Sequence, residues 1–179
     1  MLKRLATLFL IVTTLVLQSC VSTGAGLTAY ADNYDGYRFL YPVGWAEVSI
    51  SGKADIVFHD IINETENVSV VISDIPEGQT LETLGTPTDV GYKLSKSINM
   101  IAGDERDVEL TSAQSITKDD EVYYILEYVA DLPSGVRHNL ASVAVQRGRL
   151  FTFNASTRED RWNRVKDLMK QSVASFSVY

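Results

Sequence analysis

Two histidines and one cysteine are the side chains of this sequence best suited to chemical work. His59 stands directly before Asp60, which sets an imidazole beside a carboxylate, and His138 lies far along the chain. Brought together, His59, Asp60 and His138 would form a nitrogen and oxygen set suited to zinc or manganese. Kept apart, they are solvated surface groups. The acidic stretches Asp32-Asn33-Tyr34-Asp35 and Lys118-Asp119-Asp120-Glu121 offer oxygen ligands for calcium. They lack the spacing and the glycine of an EF-hand loop, so a dedicated calcium site is not indicated. The residues thus fix no cofactor and leave zinc (or manganese in its place) and calcium open. Nucleophile elbows, phosphate-binding loops and zinc-protease motifs are missing from the sequence, and it reads as a non-enzyme.

Binding is the other chemistry these residue types could support. Tyr34, Tyr37, Phe39, Tyr41 and Trp45 fall within twelve residues. They either pack an early hairpin or offer anchors to a protein partner, with Tyr34 and Tyr37 the candidates, because Tyr and Trp are enriched at interfaces. Arg147, Arg149, Arg158, Arg161 and Arg164 gather near the C-terminal segment. They form either a solvated face or a basic patch for an acidic partner, with Arg147, Arg149 and Arg161 the candidates.

The cysteine has a different use. Lys3 and Arg4 precede an uncharged, mostly apolar run of 13 residues, Leu5 to Leu17. A bilayer-spanning helix needs about 20 such residues, whereas thirteen suits the core of a secretory signal. Leu17-Gln18-Ser19-Cys20 then resembles the bacterial lipobox, which directs cleavage before the cysteine and lipidation of it. The expected divisions are a lipoprotein signal over residues 1–19, a lipidated Cys20 with a flexible tether over 20–29, and a single domain over 30–179. Cleavage would leave 160 of 179 residues, and loss of Lys3 and Arg4 would move the charge from −7 to −9. Such an acidic chain is not expected to bind nucleic acid, which calls for a basic patch or stripe.

The elements that must position these residues are mainly strands. Tyr37–Tyr41, Trp45–Ile50, Ala54–Asp60 and Asn67–Ile75 read as strands separated by Pro42, Gly44, Ser51-Gly52-Lys53 and Pro76-Glu77-Gly78. Thr88 is placed as the N-cap of a helix carrying Val90, Leu94, Ile98 and Ile101 on one face and ending at Gly103. Val108–Thr117, Glu121–Ala130, Val136–Gln146 and Leu150–Ser156 read as further strands with tight turns. Ser156-Thr157-Arg158-Glu159 is expected to cap a last helix whose apolar stripe is Trp162, Val165, Met169, Val173 and Phe176. The pattern predicts an α+β fold with a mainly antiparallel sheet and helices against its faces.

The run Tyr34-Asp35-Gly36-Tyr37-Arg38-Phe39-Leu40-Tyr41-Pro42-Val43-Gly44-Trp45 resembles the opening of the PsbP family, the extrinsic oxygen-evolving enhancer proteins of photosystem II. Asp55–Asp60, Glu66–Ile72, Tyr123–Tyr128 and the closing Trp162 helix follow in the family's order. The resemblance implies an antiparallel sheet sandwiched between helices, a fold shared with a eukaryotic nuclear-transport regulator. It also implies a non-catalytic accessory role on photosystem II, in assembly or in stabilising the oxygen-evolving side. With the lipobox, it is similar to the family's cyanobacterial lipoprotein members. That implies a monomer held at the lumenal side of the thylakoid membrane, with lumenal photosystem subunits as partners. Plant members carry a longer N-terminal extension than the short tether here, which favours a looser association. The residues alone leave a second reading open: a lipoprotein that binds and delivers a metal or small ligand through His59, Asp60 and His138.

Overall fold

The computed structural model describes residues 26–49, 52–102 and 107–179. The expected signal segment, Cys20 and Gly103 lie outside the described residues, as do the side chains of Ile98 and Ile101.

Among the described residues, ten strands and three helices follow one another. The strands are β1 (Leu27–Asp32), β2 (Tyr37–Pro42), β3 (Ala46–Glu47), β4 (Ala54–His59) and β5 (Asn67–Asp74), then β6 (Asp107–Lys118), β7 (Glu121–Asp131), β8 (Arg137–Gln146), β9 (Arg149–Arg158) and β10 (Ser177–Val178). The helices are α1 (Leu81–Leu84), α2 (Pro87–Ala102) and α3 (Glu159–Ser175). A seven-stranded sheet runs in the order β3-β4-β5-β9-β8-β7-β6, and a three-stranded sheet in the order β1-β2-β10. Each described pairing is antiparallel.

The inner strand β8 is buried from His138 to Ala144, because both of its faces are covered. Leu140 and Ala144 join Phe153, Phe151 and Met169 in one cluster. Ala141 and Val143 alternate to the other side and meet Tyr124, Leu126, Leu81 and Val90. The middle helix α2 thus covers the face opposite α3. The other face is covered by α3, as the expected sandwich requires, and by the small sheet beside it. Phe39 of β2 lies 4.5 Å from Phe153 of β9, ring centre to ring centre, and Tyr41 stacks on Phe58 of β4 at 4.0 Å.

Three boundaries depart from the sequence reading. Residues 27–29, expected in the tether, open β1, because Leu27 is buried and pairs with Pro42. The N-cap of α2 is Thr86 rather than Thr88. Pro87 fits the first helical position, where its missing N–H goes unused. The Thr86 hydroxyl accepts from the Asp89 N–H at 3.2 Å, and the Asp89 carboxylate accepts in return from the Thr86 N–H and hydroxyl at 3.0 and 2.7 Å. We expect Thr86→Ala to lower stability by about 0.5–2 kcal/mol, measured as a shift in the urea midpoint at constant slope.

The expected cap of the last helix also fails. Arg158 occupies that position without a side-chain cap, and β9 runs straight into α3. Ser156 is already committed, since its hydroxyl accepts from the Arg137 guanidinium at 2.7 and 3.0 Å. Glu159 and Asp160 still set negative charge in the first turn, which suits the helix dipole.

Candidate functional site

Polar groups concentrate at the two ends of the large sheet. One end carries the β4–β5 loop, the β7–β8 hairpin and the start of α3. There the buried imidazole of His138 lies between two carboxylates, Glu159 at 2.7 Å from Nδ1 and Glu127 at 2.7 Å from Nε2. Its ring stacks on Trp162 at 3.7 Å, with 13° between the planes. Each nitrogen–carboxylate contact needs a proton within it, and the two carboxylates stand at opposite ring edges. They therefore do not converge on a single point where an ion could sit.

The expected His59, Asp60 and His138 set is not assembled. β5 and β9 lie between β4 and β8, so three strand spacings, about 14 Å, separate the two histidines. Asp60 instead closes a turn. Its carboxylate accepts from the Ile62 N–H at 2.7 Å and from the Asn63 N–H and amide at 3.2 Å. Burial pushes the Asp60 carboxyl up, but these bonds and the Arg161 charge outweigh it and hold it below the usual range.

Beside this loop, Glu66 is a charged group the sequence reading missed, although it stands immediately before the β5 apolar run. It is 2% exposed, pairs with the Arg161 guanidinium and accepts from the Thr157 hydroxyl at 3.2 Å. Arg137 donates to the Thr65 carbonyl as well as to Ser156. These contacts fasten the β4–β5 loop to β8, β9 and α3. Arg161 thus serves as an internal tie.

The opposite end joins the β1–β2 turn to the β8–β9 turn. Arg149 pairs with Asp35 at 2.6 Å, and Arg147 donates to the Asp35 carbonyl at 2.6 Å. Gly36 has φ +80°, and a Cβ there would meet the Tyr179 carbonyl at 2.6 Å, so glycine is required. Tyr34 projects from this turn, 90% exposed. Tyr37 does not. Its burial is complete, and its hydroxyl donates to Asp55. Burial first, then that hydrogen bond and the Asp55 charge, push the phenol well above its ordinary range. Tyr37 is a core residue, placed there by alternation along β2.

The expected arginine patch divides in two. Arg149 and Arg158 begin and end β9, about 30 Å apart, so Arg147 and Arg149 sit at one end and Arg158, Arg161 and Arg164 toward the other. Near Arg149, oxygens of Asp32, Asp35 and Asp55 come within 4.8 Å of one another. Each is already engaged: Asp32 by the Tyr34 and Asp35 N–H groups, Asp35 by Arg149, Asp55 by Tyr37. Two open clefts, of about 340 and 330 Å³, border α1 and α3. Neither lining includes a histidine or cysteine.

The sequence profile of the PsbP family matches residues 25–178. The chain belongs to the PsbP family. Among PsbP-family proteins it is 45% identical over 184 residues to CyanoP of Thermosynechococcus vestitus, covering all of both chains. It is 46% identical to CyanoP of Synechocystis, covering 99% of this chain and 98% of that one. The solution structure of CyanoP from Synechocystis sp. PCC 6803 superposes with a TM-score of 0.75 at 47% identity, covering 92% and 99% of the two chains. The PsbP α+β architecture expected from the sequence is thus the one found. The family match begins at residue 25, consistent with β1 rather than a tether at residues 27–29.

Proposed function

We propose that the protein is a non-catalytic accessory factor of photosystem II, held at the lumenal side of the thylakoid membrane by a lipid on Cys20. The observation that carries this reading is its end-to-end likeness to the CyanoP proteins. The lipobox ending in the sole cysteine supports the anchor. A factor of this kind acts by mass action, since binding one state of the complex stabilises that state. A lipid anchor keeps the local concentration high. Its partner-facing surface is the exposed end built from Tyr34, Tyr179 and Arg147.

A two-dimensional native gel of gently solubilised membranes tests the reading. Co-migration with photosystem II or its assembly intermediates is the expected result. Migration only as free protein, repeated after chemical cross-linking, would overturn it. Tyr34→Ala should reduce that co-migration while changing the unfolding free energy by no more than about 0.5 kcal/mol, because an exposed turn side chain lacks core contacts. Equal co-migration of the variant would remove Tyr34 from the surface.

A further inference from the structure

Among the described residues, the exposed large hydrophobic side chains divide by type and by place. The aliphatic ones are Val43 (63% exposed), Ile61 (63%), Ile62 (84%) and Val136 (39%). All four lie at one end of the molecule. Val43 follows β2, Ile61 and Ile62 occupy the β4–β5 loop, and Val136 sits in the β7–β8 hairpin beside the first residue of α3. The aromatic ones are elsewhere: Tyr34 and Tyr179 at the opposite end and Tyr92 on α2.

The aliphatic end is also where the N-terminal segment departs. Gly26 precedes β1, and its carbonyl accepts from the Val43 N–H at 2.9 Å. β3 begins three residues after Val43 and pairs Ala46 with His59, two residues before Ile61. Only residues 21–25 separate Cys20 from Gly26, a reach of about 20 Å fully extended. A lipid on Cys20 would therefore keep this end within reach of the bilayer, while the side chains at the surface decide how the domain sits there.

The isoleucines are held outward by a built loop. Asp60 binds the Ile62 N–H, the Asp60 N–H donates to the Glu66 carbonyl at 3.0 Å, and Glu66 is locked to Arg161. A single exposed aliphatic residue is ordinary. Two adjacent ones on a fixed loop, with two valines at the same end and a short tether beside them, form a shallow apolar face. Apolar faces of this kind settle into the boundary between headgroups and acyl chains.

We infer that Val43, Ile61, Ile62 and Val136 form a membrane-contacting face that seats the domain on the lipid surface and turns the Tyr34 end outward. This deepens the proposed function and rests on its anchor at Cys20.

The test uses isotope-labelled full chain, anchored through Cys20 to phosphatidylcholine and phosphatidylglycerol nanodiscs doped with a gadolinium-chelate lipid. The protein's own lipid provides the anchor, or a maleimide lipid where mass measurement finds Cys20 unmodified. The mass therefore judges the anchor reading separately from the face. Amide signals of Val43, Ile61, Ile62 and Val136 should lose intensity while those of Tyr34 and Tyr179 persist. Ile61→Ser with Ile62→Ser, both on the surface, should abolish that selectivity with the tether intact. Even broadening, strongest broadening at Tyr34, or a pattern unchanged in the double variant would overturn the inference.

Discussion

Phe153→Ala is expected to lower the unfolding free energy by about 3–5 kcal/mol, the range for truncating a fully buried aromatic. Phe153 lies midway along β9 and has no exposed surface. Its ring sits 4.5 Å from Phe39 in the small sheet and 5.2 Å from Phe176 beyond α3, nearly parallel to the latter. One side chain thus touches both sheets and the C-terminal segment, and little around it is free to collapse into the space it leaves. At about 2–4 °C per kcal/mol for a domain of this size, the melting temperature should fall by roughly 6–20 °C. Calorimetry at matched pH checks it. A loss under about 1 kcal/mol would mean that the small sheet is not packed against β9 as described.

Arg161→Ala should cost about 3 kcal/mol, for a different reason. Glu66 is 3% exposed at its side chain, and Arg161 is the cation paired with it. Removing one partner of a buried pair leaves the other charge poorly compensated, here with Arg137 as a remaining nearby cation, which is far more damaging than losing both. Arg161 itself is 27% exposed, so the value lies at the low end of the range for fully buried pairs. Adding Glu66→Gln should recover more than half of the loss, since the amide oxygen still accepts from Thr157 and carries no charge. Urea unfolding of the two single variants and the double variant forms the required cycle. If Glu66→Gln deepened the loss caused by Arg161→Ala, the pairing would not be the source of the effect.

These two variants mark what the sequence does and does not disclose. The α3 stripe was legible because Trp162, Met169 and Val173 fall at helical spacing and are buried where that spacing says. The long strands β7, β8 and β9 were legible from β-branched and aromatic runs between tight polar turns. Tyr37 was harder, since within the aromatic segment residue type is the same for core and surface. Only the period of two separates Tyr37 and Phe39 inside from Tyr34 in the turn. β1 is short, with small residues, and β10 has two residues, so neither carries a periodic signal strong enough to stand alone. The surroundings of His138 were not legible at all. Its carboxylates lie 11 and 21 residues away, and no local spacing announces them. The capping residues failed for a related reason. Ser156 has the right type for a cap, but a guanidinium from another strand claims its hydroxyl.

The order β1-β2-β10 in the small sheet has a consequence for how the chain is made. The inner strand of that sheet takes one neighbour from each end of the domain, and Arg38 pairs with Ser177 across nearly the whole sequence. The last hydrogen bonds of the chain, from the Tyr179 N–H to the Gly36 carbonyl, lie in the same place. A nascent chain still held at its C-terminus lacks β10 and cannot cover Tyr37 and Phe39 from that side. The small sheet therefore closes only after β10 has been synthesised and has left the ribosome, so its inner strand waits for a partner made more than 130 residues later.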